Sequence, residues 1–578
     1  MPAPALVPDK PGEGRRLGPA GGRMARWVPL VVLLAGAILR VVYTWGCDVR
    51  NVYDDHFHVI VTMLHEKRWP RPDEGWQTYQ PPLYHVLGAL AYCLAAGRTD
   101  VLPYWMPQAR SDPGYARHVA GRKAVQFLST ISGIATLALV WLTLRHLFAG
   151  AWFAQSVGMG LVAFLPRHIY MSAMATNDAM TYLWASLCLY AVLRGLGLPT
   201  AHSRSRNVGP RRERPGRRAY GLYPRSGGRD QAGAQIDERA GPERGSLESK
   251  AGRAGRRWLG YLGSGLRFWV PAGLAAALAM WTKQYGLGAL GTLLAAVLAG
   301  VLTRSASVRG PRIAGALLAT VLAIALGIWP YVRTYRLTGN PVASNYTLRP
   351  HKMDSQLPGK LSEVSFASLR LGRLLARPWV HLSTVDSFWS EVYGELWFDY
   401  GTAMTAYQYR PWIEYVWPIW KDESITARER ERRGLIWDAG VMPASQLWHG
   451  RLLIALGALP TVLCLVGLIA IWRQIPAAVA WVTVVSFLLG LATPIFQTVR
   501  QPFRSSMKAT FALSALVALS VLLVVGCCWI GQRRYLSWLR WVVVVNLVVL
   551  AVVAGWHFLE LALIFPASPL YFPRRDPL

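Results

Sequence analysis

Acidic side chains are scarce in this chain: 31 Asp and Glu stand against 62 Lys and Arg. Charged residues of both signs reach only 16%, beside 53% hydrophobic residues. With a mean hydropathy of +0.25, the chain is too apolar for one large soluble domain. Cysteine is sparse as well. The six, at 47, 93, 188, 464, 527 and 528, form no CxxC pair and no zinc-ligand spacing. Most fall in or beside apolar stretches and read as small apolar residues. Cys47 and Cys93 would share one side of a membrane, which permits a disulfide without supporting one. No HEXXH pattern is present. No small-residue cleavage site follows the first apolar stretch, and TWGC is a poor lipobox, so 26–46 reads as a retained anchor.

What the chain does have is long apolar runs. They lie near 26–46, 81–96, 124–147, 152–172, 179–198, 268–282, 285–302, 313–331, 451–472, 475–495, 509–530 and 541–565. Several cover roughly 18 residues or more with almost no charge, the mark of spanning helices. The 26 Trp and 24 Tyr suit aromatic belts at the two interfaces. The net charge of +31 argues for nucleic acid only until it is located. Residues 199–258 hold 15 Lys and Arg against 6 Asp and Glu, are rich in Gly, Pro and Ser, and have almost no apolar periodicity. This segment reads as a basic disordered cytoplasmic loop that sets orientation and meets anionic lipid. Nucleic acid is not an expected partner.

Threading turns on 81–96, PPLYHVLGALAYCLAA, which opens on two prolines and is short of the roughly 20 residues a span needs. If it crossed, the basic loop would lie outside. If it rests in the interface, that loop falls inside, with Arg145, His146, Arg304, Arg309, Arg312, Arg473, Arg533, Arg534 and Arg540. The expectation is therefore an all-α polytopic membrane protein of about 11 spans, N-terminus in and C-terminus out. Its parts would be a cytoplasmic tail 1–25, a module 26–198 with a first external loop 47–123, and the basic loop 199–258. Spans in 259–331, a long external loop 332–450, spans in 451–565 and an external tail 566–578 would follow. Within 332–450, SFASLRLGRLLARPW and STVDSFWSEVYGELWFDYG read as amphipathic helices on the outer leaflet. A plasma membrane of bacterial type suits the Arg- and Gly-rich composition.

The chemistry centres on NVYDDHFHVI, residues 51–60. Asp54 and His58 are four apart on one helical face, and Asp55 and His58 three apart. Three readings are open. The acids are a helix N-terminus favoured by the helix dipole, or they join His58 around a divalent metal. In the third, an ionised Asp at the membrane surface is a general base for an acceptor hydroxyl. Downstream, Pro81 and Pro82 begin a helix where no backbone donor is needed. That helix would bring Gln80, Tyr84 and His85 back toward the acid pair.

Asp54-Asp55-x-x-His58, then Gln80-Pro81-Pro82-Leu83-Tyr84, resembles the first external loop of the GT-C glycosyltransferases. Within them the group of protein O-mannosyltransferases and lipid A aminoarabinose transferases is the most similar. The likeness runs on through Ala175-Thr176-Asn177-Asp178, Trp281-Thr282-Lys283, Gly394-Glu395-Leu396-Trp397 and Ser505-Ser506-Met507-Lys508-Ala509. It covers most of 25–530, leaving out the basic insert. The resemblance implies a GT-C-like helical bundle and a hexosyl or pentosyl transferase. A polyprenyl-phosphate sugar would be the donor, and a lipid, protein or polysaccharide outside the membrane the acceptor. Asp54 takes the place of the catalytic base and Asp55 that of its Glu partner, one methylene shorter. Gln80 stands where His is common.

A phosphate leaving group needs positive charge rather than a general acid. Arg500, Arg504 and Lys508, four apart in an expected external loop, and Lys283 in another external turn supply it. Snorkelling interfacial cations are the alternative. Asp178 opens a span from outside, where it would orient a sugar or cap the helix. Arg122 is a further phosphate or headgroup contact. Glu391, Glu395 and Asp399 share a helical face that is either a substrate mouth or solvated. A transporter or lipid flippase is the competing class, though no inverted repeat or mid-bilayer ionisable feature points to it.

Overall fold

A computed structural model describes residues 27–47, 56–75, 77–99, 114–197, 265–303, 306–348, 364–376, 378, 387–398, 444–500, 507–532, 534–536 and 538–567. The basic loop 199–258, the tail 1–25 and residues 568–578 fall outside these residues. The helices are α1 (Val28–Gly46), α2 (His56–Glu66), α3 (Leu83–Ala96), α4 (Tyr115–Leu147), α5 (Trp152–Ala163), α6 (Pro166–Ala173) and α7 (Asn177–Gly195). After α8 (265–282) come α9 (Leu287–Val301), α10 (Ala306–Gly327), α11 (Trp329–Thr338) and α12 (Phe388–Trp397). The last four are α13 (Ala444–Gln474), α14 (Ala477–Arg500), α15 (Leu516–Gly531) and α16 (Leu539–Ala567). Extended structure among the described residues is limited to an isolated bridge between Ser365 and Ser387.

Eight helices among the described residues are long and apolar enough to cross a membrane: α1, α4, α9, α10, α13, α14, α15 and α16. The chain is thus an all-helical, multi-pass integral membrane protein. The other three expected spans, α5, α7 and α8, do not meet the same length and hydropathy. The stretch 152–172 is not one helix. Pro166 has no N–H to offer the carbonyl of Val162, and the chain breaks at Phe164 and Leu165 before α6 begins. Arg40, buried inside α1, repairs the break. Its Nη1 donates to Ala163 O at 2.9 Å and Gly36 O at 2.8 Å, and its Nη2 to Val162 O at 3.1 Å and His168 Nδ1 at 2.7 Å. An arginine within an apolar span needs such partners. The 14 residues of α3 reach about 21 Å, short of a hydrocarbon core near 30 Å.

Packing follows from small residues. Helices α13 and α15 touch backbone to backbone: a Cβ on Gly467 would stand 1.9 Å from Leu522 O, and one on Gly526 2.1 Å from Leu463 O. Only hydrogen side chains allow that approach, the usual route to tight helix pairs in lipid. Around this pair α1 packs on α4, α5 and α16, and α9 on α10 and α14. The turn after α2 is tied down by an aromatic stack. Trp281 lies flat on Trp329 at 5.6 Å, Trp329 meets Trp69 at 5.4 Å, and Arg333 covers Trp69 at 4.1 Å while donating to Pro70 O. All six cysteines are free, Cys47 and Cys93 included.

One expectation is corrected. Helix α12 does not lie on a leaflet: Phe388, Ser390, Glu391, Val392, Gly394, Glu395 and Trp397 are all buried. Tyr393 Oη donates to Ile454 O at 2.6 Å and Trp397 Nε1 to Thr461 Oγ1 at 3.1 Å. The amphipathic pattern is met by the bundle instead of by water, so a solvated face for Glu391 and Glu395 is ruled out. Asp399 lies outside the described residues.

Candidate functional site

The apolar residues of α2 fix where its polar ones go. Phe57, Ile60 and Val61 join Tyr84, Ala89, Tyr92 and Ala96 of α3, Val125 of α4 and Met180 of α7 in one buried cluster. With that face down, His56 is fully buried and stacks on His85, ring centroids 5.4 Å apart and Nδ1 3.1 Å from His85 Nε2. One proton serves that contact, so both rings are accommodated as neutral imidazoles. Burial pushes His85 down to about 3, with the Lys283 charge adding to it. His56 is held well below the usual histidine range by burial first, then by Lys283, His85 and Lys508. His56 therefore feels cations from two distant segments.

A hydrogen-bonded path runs from Tyr84, which packs beside this pair, to the start of α7. Tyr84 lies 6.2 Å from His56, ring to ring, and its hydroxyl donates to Ser129 Oγ at 3.1 Å. Ser129 Oγ donates to Thr176 O at 3.1 Å. Thr176 is the N-cap of α7, accepting from Asp178 N at 3.3 Å and donating to Asp178 Oδ2 at 2.7 Å. That same Oδ2 takes Lys283 Nζ at 2.8 Å, in a pair with side chains 0% and 4% exposed. Lys283 also faces Tyr285 and Phe511 at 5.0 and 5.8 Å. Asn177 Nδ2 bonds Thr282 O at 3.0 Å, locking the segment before Lys283 onto α7.

A second buried network sets the backbone beside Lys508. Arg167 Nε donates to Thr510 Oγ1 at 2.9 Å, and its Nη2 lies 3.7 Å from Glu395 Oε2. Glu395 Oε2 accepts from Ala509 N at 2.8 Å. Arg167 of α6 and Glu395 of α12 thus hold the strand-like entry to residues 509–515, leaving Lys508 half-buried beside it. Arg500, half-buried at the end of α14, donates to Val342 O at 3.0 Å.

The remaining expected residues separate. His58 turns toward the 75–78 turn, where a Cβ on Gly75 would stand 3.1 Å from its ring. Gln80 is buried, its Nε2 on Gln77 Oε1 at 3.1 Å. Arg122 is buried with its guanidinium 4.6 Å over the Phe57 ring. Lys123 caps α1 through Thr44 O at 2.8 Å and Cys47 O. Asp54, Asp55 and Arg504 lie outside the described residues. Among the described residues no three His, Cys, Asp or Glu side chains are arranged to hold a metal ion. The metal alternative rests on Asp54 and Asp55, beyond that set. His56, Arg167 and Arg40 were not singled out from sequence. The two arginines carried a usable signal, a charge within an apolar stretch.

Compared with protein-family models and with curated proteins, the chain matches none. Among solved structures, the Archaeoglobus fulgidus oligosaccharyltransferase complex with zinc and sulfate aligns at TM-score 0.44 and 13% identity, over 92% of this chain and 53% of that one. AglB of the same organism, in complex with an inhibitory peptide and a dolichol-phosphate, gives 0.42 and 13%, over 92% and 55%. ArnT from Cupriavidus metallidurans bound to undecaprenyl phosphate gives 0.33 and 16%, over 87% and 80%. The chain spans about half the length of the two archaeal structures. Superpositions this loose transfer no residue role.

Proposed function

We propose that this chain is a GT-C-type membrane glycosyltransferase. It moves one sugar, with inversion, from a polyprenyl-phosphate donor to an acceptor hydroxyl on the outer face of the membrane. The observation that carries the reading is the gathering of residues from five separate segments of the chain. His56 and His85, Tyr84, the Asp178–Lys283 pair and the charge of Lys508 belong to one polar cluster. The motif order of the sequence supports it independently.

In this reading Asp54 takes the proton from the acceptor hydroxyl as the oxygen attacks the anomeric carbon, and Asp55 and His58 orient that hydroxyl. The carbon–oxygen bond to phosphate breaks and the electron pair leaves on the phosphate, which needs no proton. Fixed positive charge stabilises that developing anion most in a water-poor site. Lys508, Arg500 and Arg504 supply it, together with the ammonium protons Lys283 does not spend on Asp178. The test is transfer from a panel of undecaprenyl-phosphate sugars by the purified full chain in nanodiscs. Asp54→Asn is expected to lower the rate about 10²–10⁴-fold, the usual contribution of a general base. A folded Asp54→Asn protein with full transfer activity would overturn the mechanism.

A further inference from the structure

The end of α7 opposite Asp178 gathers charge of one sign. Arg194 lies in the last turn, roughly 24 Å along the axis from Asp178 at 1.5 Å per residue. Arg194 and Arg267 of α8 lie against one ring, each guanidinium carbon 4.8 Å from the Phe268 centroid. The two charges are therefore no more than twice that distance apart. Gly197, in the turn after α7, donates to Arg194 O at 3.0 Å and takes Arg312 Nη2 of α10 on its own carbonyl at 3.5 Å. Arg312 Nη1 donates to Thr303 Oγ1 at 3.1 Å, and Arg309 Nε to Thr303 O at 2.9 Å. Arginines of α7, α8 and α10 thus form one connected cluster. Its base is rigid. Trp269 is buried between α7 and α10, where a Cβ on Gly195 or Gly315 would meet its ring at 2.7 or 2.3 Å.

No acid of the helices that carry or border the cluster balances it. Helices α4, α8, α9 and α10 contain no Asp or Glu, and the one acid of α7 is Asp178 in its first turn. Arg309 and Arg312 also stand in the first two turns of α10, where the helix dipole favours anions over cations. Snorkelling side chains reach separately for water. These are held together instead, by a shared ring and a shared threonine. Like charges fixed this close favour an anion between them, and the guanidinium fork matches phosphate oxygens. The surroundings decide which phosphate. Val301 and Leu302, just before Thr303, are 51% and 65% exposed, and Leu298 one turn earlier is 52% exposed. A free phosphate leaves that apolar surface bare, whereas the acyl chains of a lipid cover it.

We propose that Arg194, Arg267 and Arg309 bind the phosphate of an anionic phospholipid at the end of α7 and α8 opposite the Asp178–Lys283 pair. The site is separate from that of the donor phosphate, since Lys283 follows the other end of α8, and it stands whether or not the donor reading holds. Two variants separate a built site from general positive charge. Arg267→Gln removes an exposed member of the cluster, whose loss the fold tolerates. Arg473→Gln removes a charge in the last turn of α13, outside the cluster.

The experiment measures binding of fluorescent phosphatidylglycerol to the full chain in detergent. Unlabelled phosphatidylglycerol, phosphatidylcholine and inorganic phosphate are the competitors, at matched ionic strength. Wild type is expected to prefer phosphatidylglycerol to phosphatidylcholine, whose choline brings a further cation, and to keep the lipid when inorganic phosphate is added. Arg267→Gln should weaken phosphatidylglycerol binding about tenfold, as for one charge-assisted contact, and Arg473→Gln no more than about twofold. The double variant Arg194→Gln with Arg267→Gln should weaken it further. The inference is overturned if Arg267→Gln binds the lipid as wild type does, or if Arg473→Gln weakens it equally. In wild type alone, displacement by phosphatidylcholine as readily as by phosphatidylglycerol also overturns it. Displacement by inorganic phosphate does so too, since the site would then take a soluble anion.

Discussion

Two ion pairs are buried at the same end of this bundle, and they are built differently. Asp178 and Lys283 meet at 2.8 Å, each the other's charge partner, with side chains 0% and 4% exposed. Arg167 and Glu395 stand 3.7 Å apart, and each spends its better contact elsewhere, on Thr510 and on Ala509 N. The first is a closed charge balance that leaves one carboxylate oxygen over. The second is a brace, in which the charges matter less than the backbone they pin. A buried pair closed on itself is costly to break from one side, because the surviving charge is stranded. A brace with several neutral contacts loses one contact at a time.

Breaking the closed pair should have the largest effect. Asp178→Ala strands Lys283 and is expected to cost about 3–5 kcal/mol of stability. The double variant Asp178→Ala with Lys283→Met should recover most of it, and thermal unfolding in detergent reads both. Arg167→Met should cost less, about 1–3 kcal/mol, since Glu395 keeps Ala509 N. It should also weaken undecaprenyl phosphate binding severalfold, because the segment beside Lys508 loses its anchor. If the two single variants proved equally damaging, the distinction between balance and brace would fall.

Lys508→Gln sharpens the contrast from the ligand side. Lys508 is half-buried rather than sealed in. Its loss should weaken undecaprenyl phosphate binding about tenfold, one charge-assisted contact, and leave the unfolding temperature unchanged. The smallest effect is a slope with pH. His85 in the folded protein is pushed down to about 3, below its value in the unfolded chain. Below pH about 6.5 the unfolded chain therefore takes up a proton that the folded one refuses, and stability falls by about 1.4 kcal/mol per pH unit. His85→Gln should make the fall of stability between pH 6.5 and 5 shallower. An unchanged slope would remove His85 from the account.

Much of this architecture was legible as hydropathy. Eight of the expected spans meet the length and composition of a membrane crossing, and 83–96 is too short to do so. Pattern reading failed where a neighbour overrode it. The alternation of α12 looked interfacial, yet the bundle buries both its faces and takes up Glu395 through Ala509 N. The run 152–172 looked continuous, but Pro166 splits it, and the break is tolerable only because Arg40 lies across it. In the first loop the spacing of Asp54 and His58 drew attention to His58. The apolar face of α2 instead carries His56 inward, since Phe57 and Ile60 must be covered and their neighbour in the turn goes with them.

The sequence by itself determined that the chain lives in a membrane, where its eight long apolar helices run, and which residue types gather at their ends. Those follow from local transfer free energies, which sum along the chain without reference to fold. Which charges meet was decided by tertiary structure alone. Asp178 and Lys283 are 105 residues apart and Arg167 and Thr510 are 343 apart, and no periodicity connects them. Their meeting depends on how α6, α7, α12 and residues 509–515 pack, and packing is a property of all the helices at once.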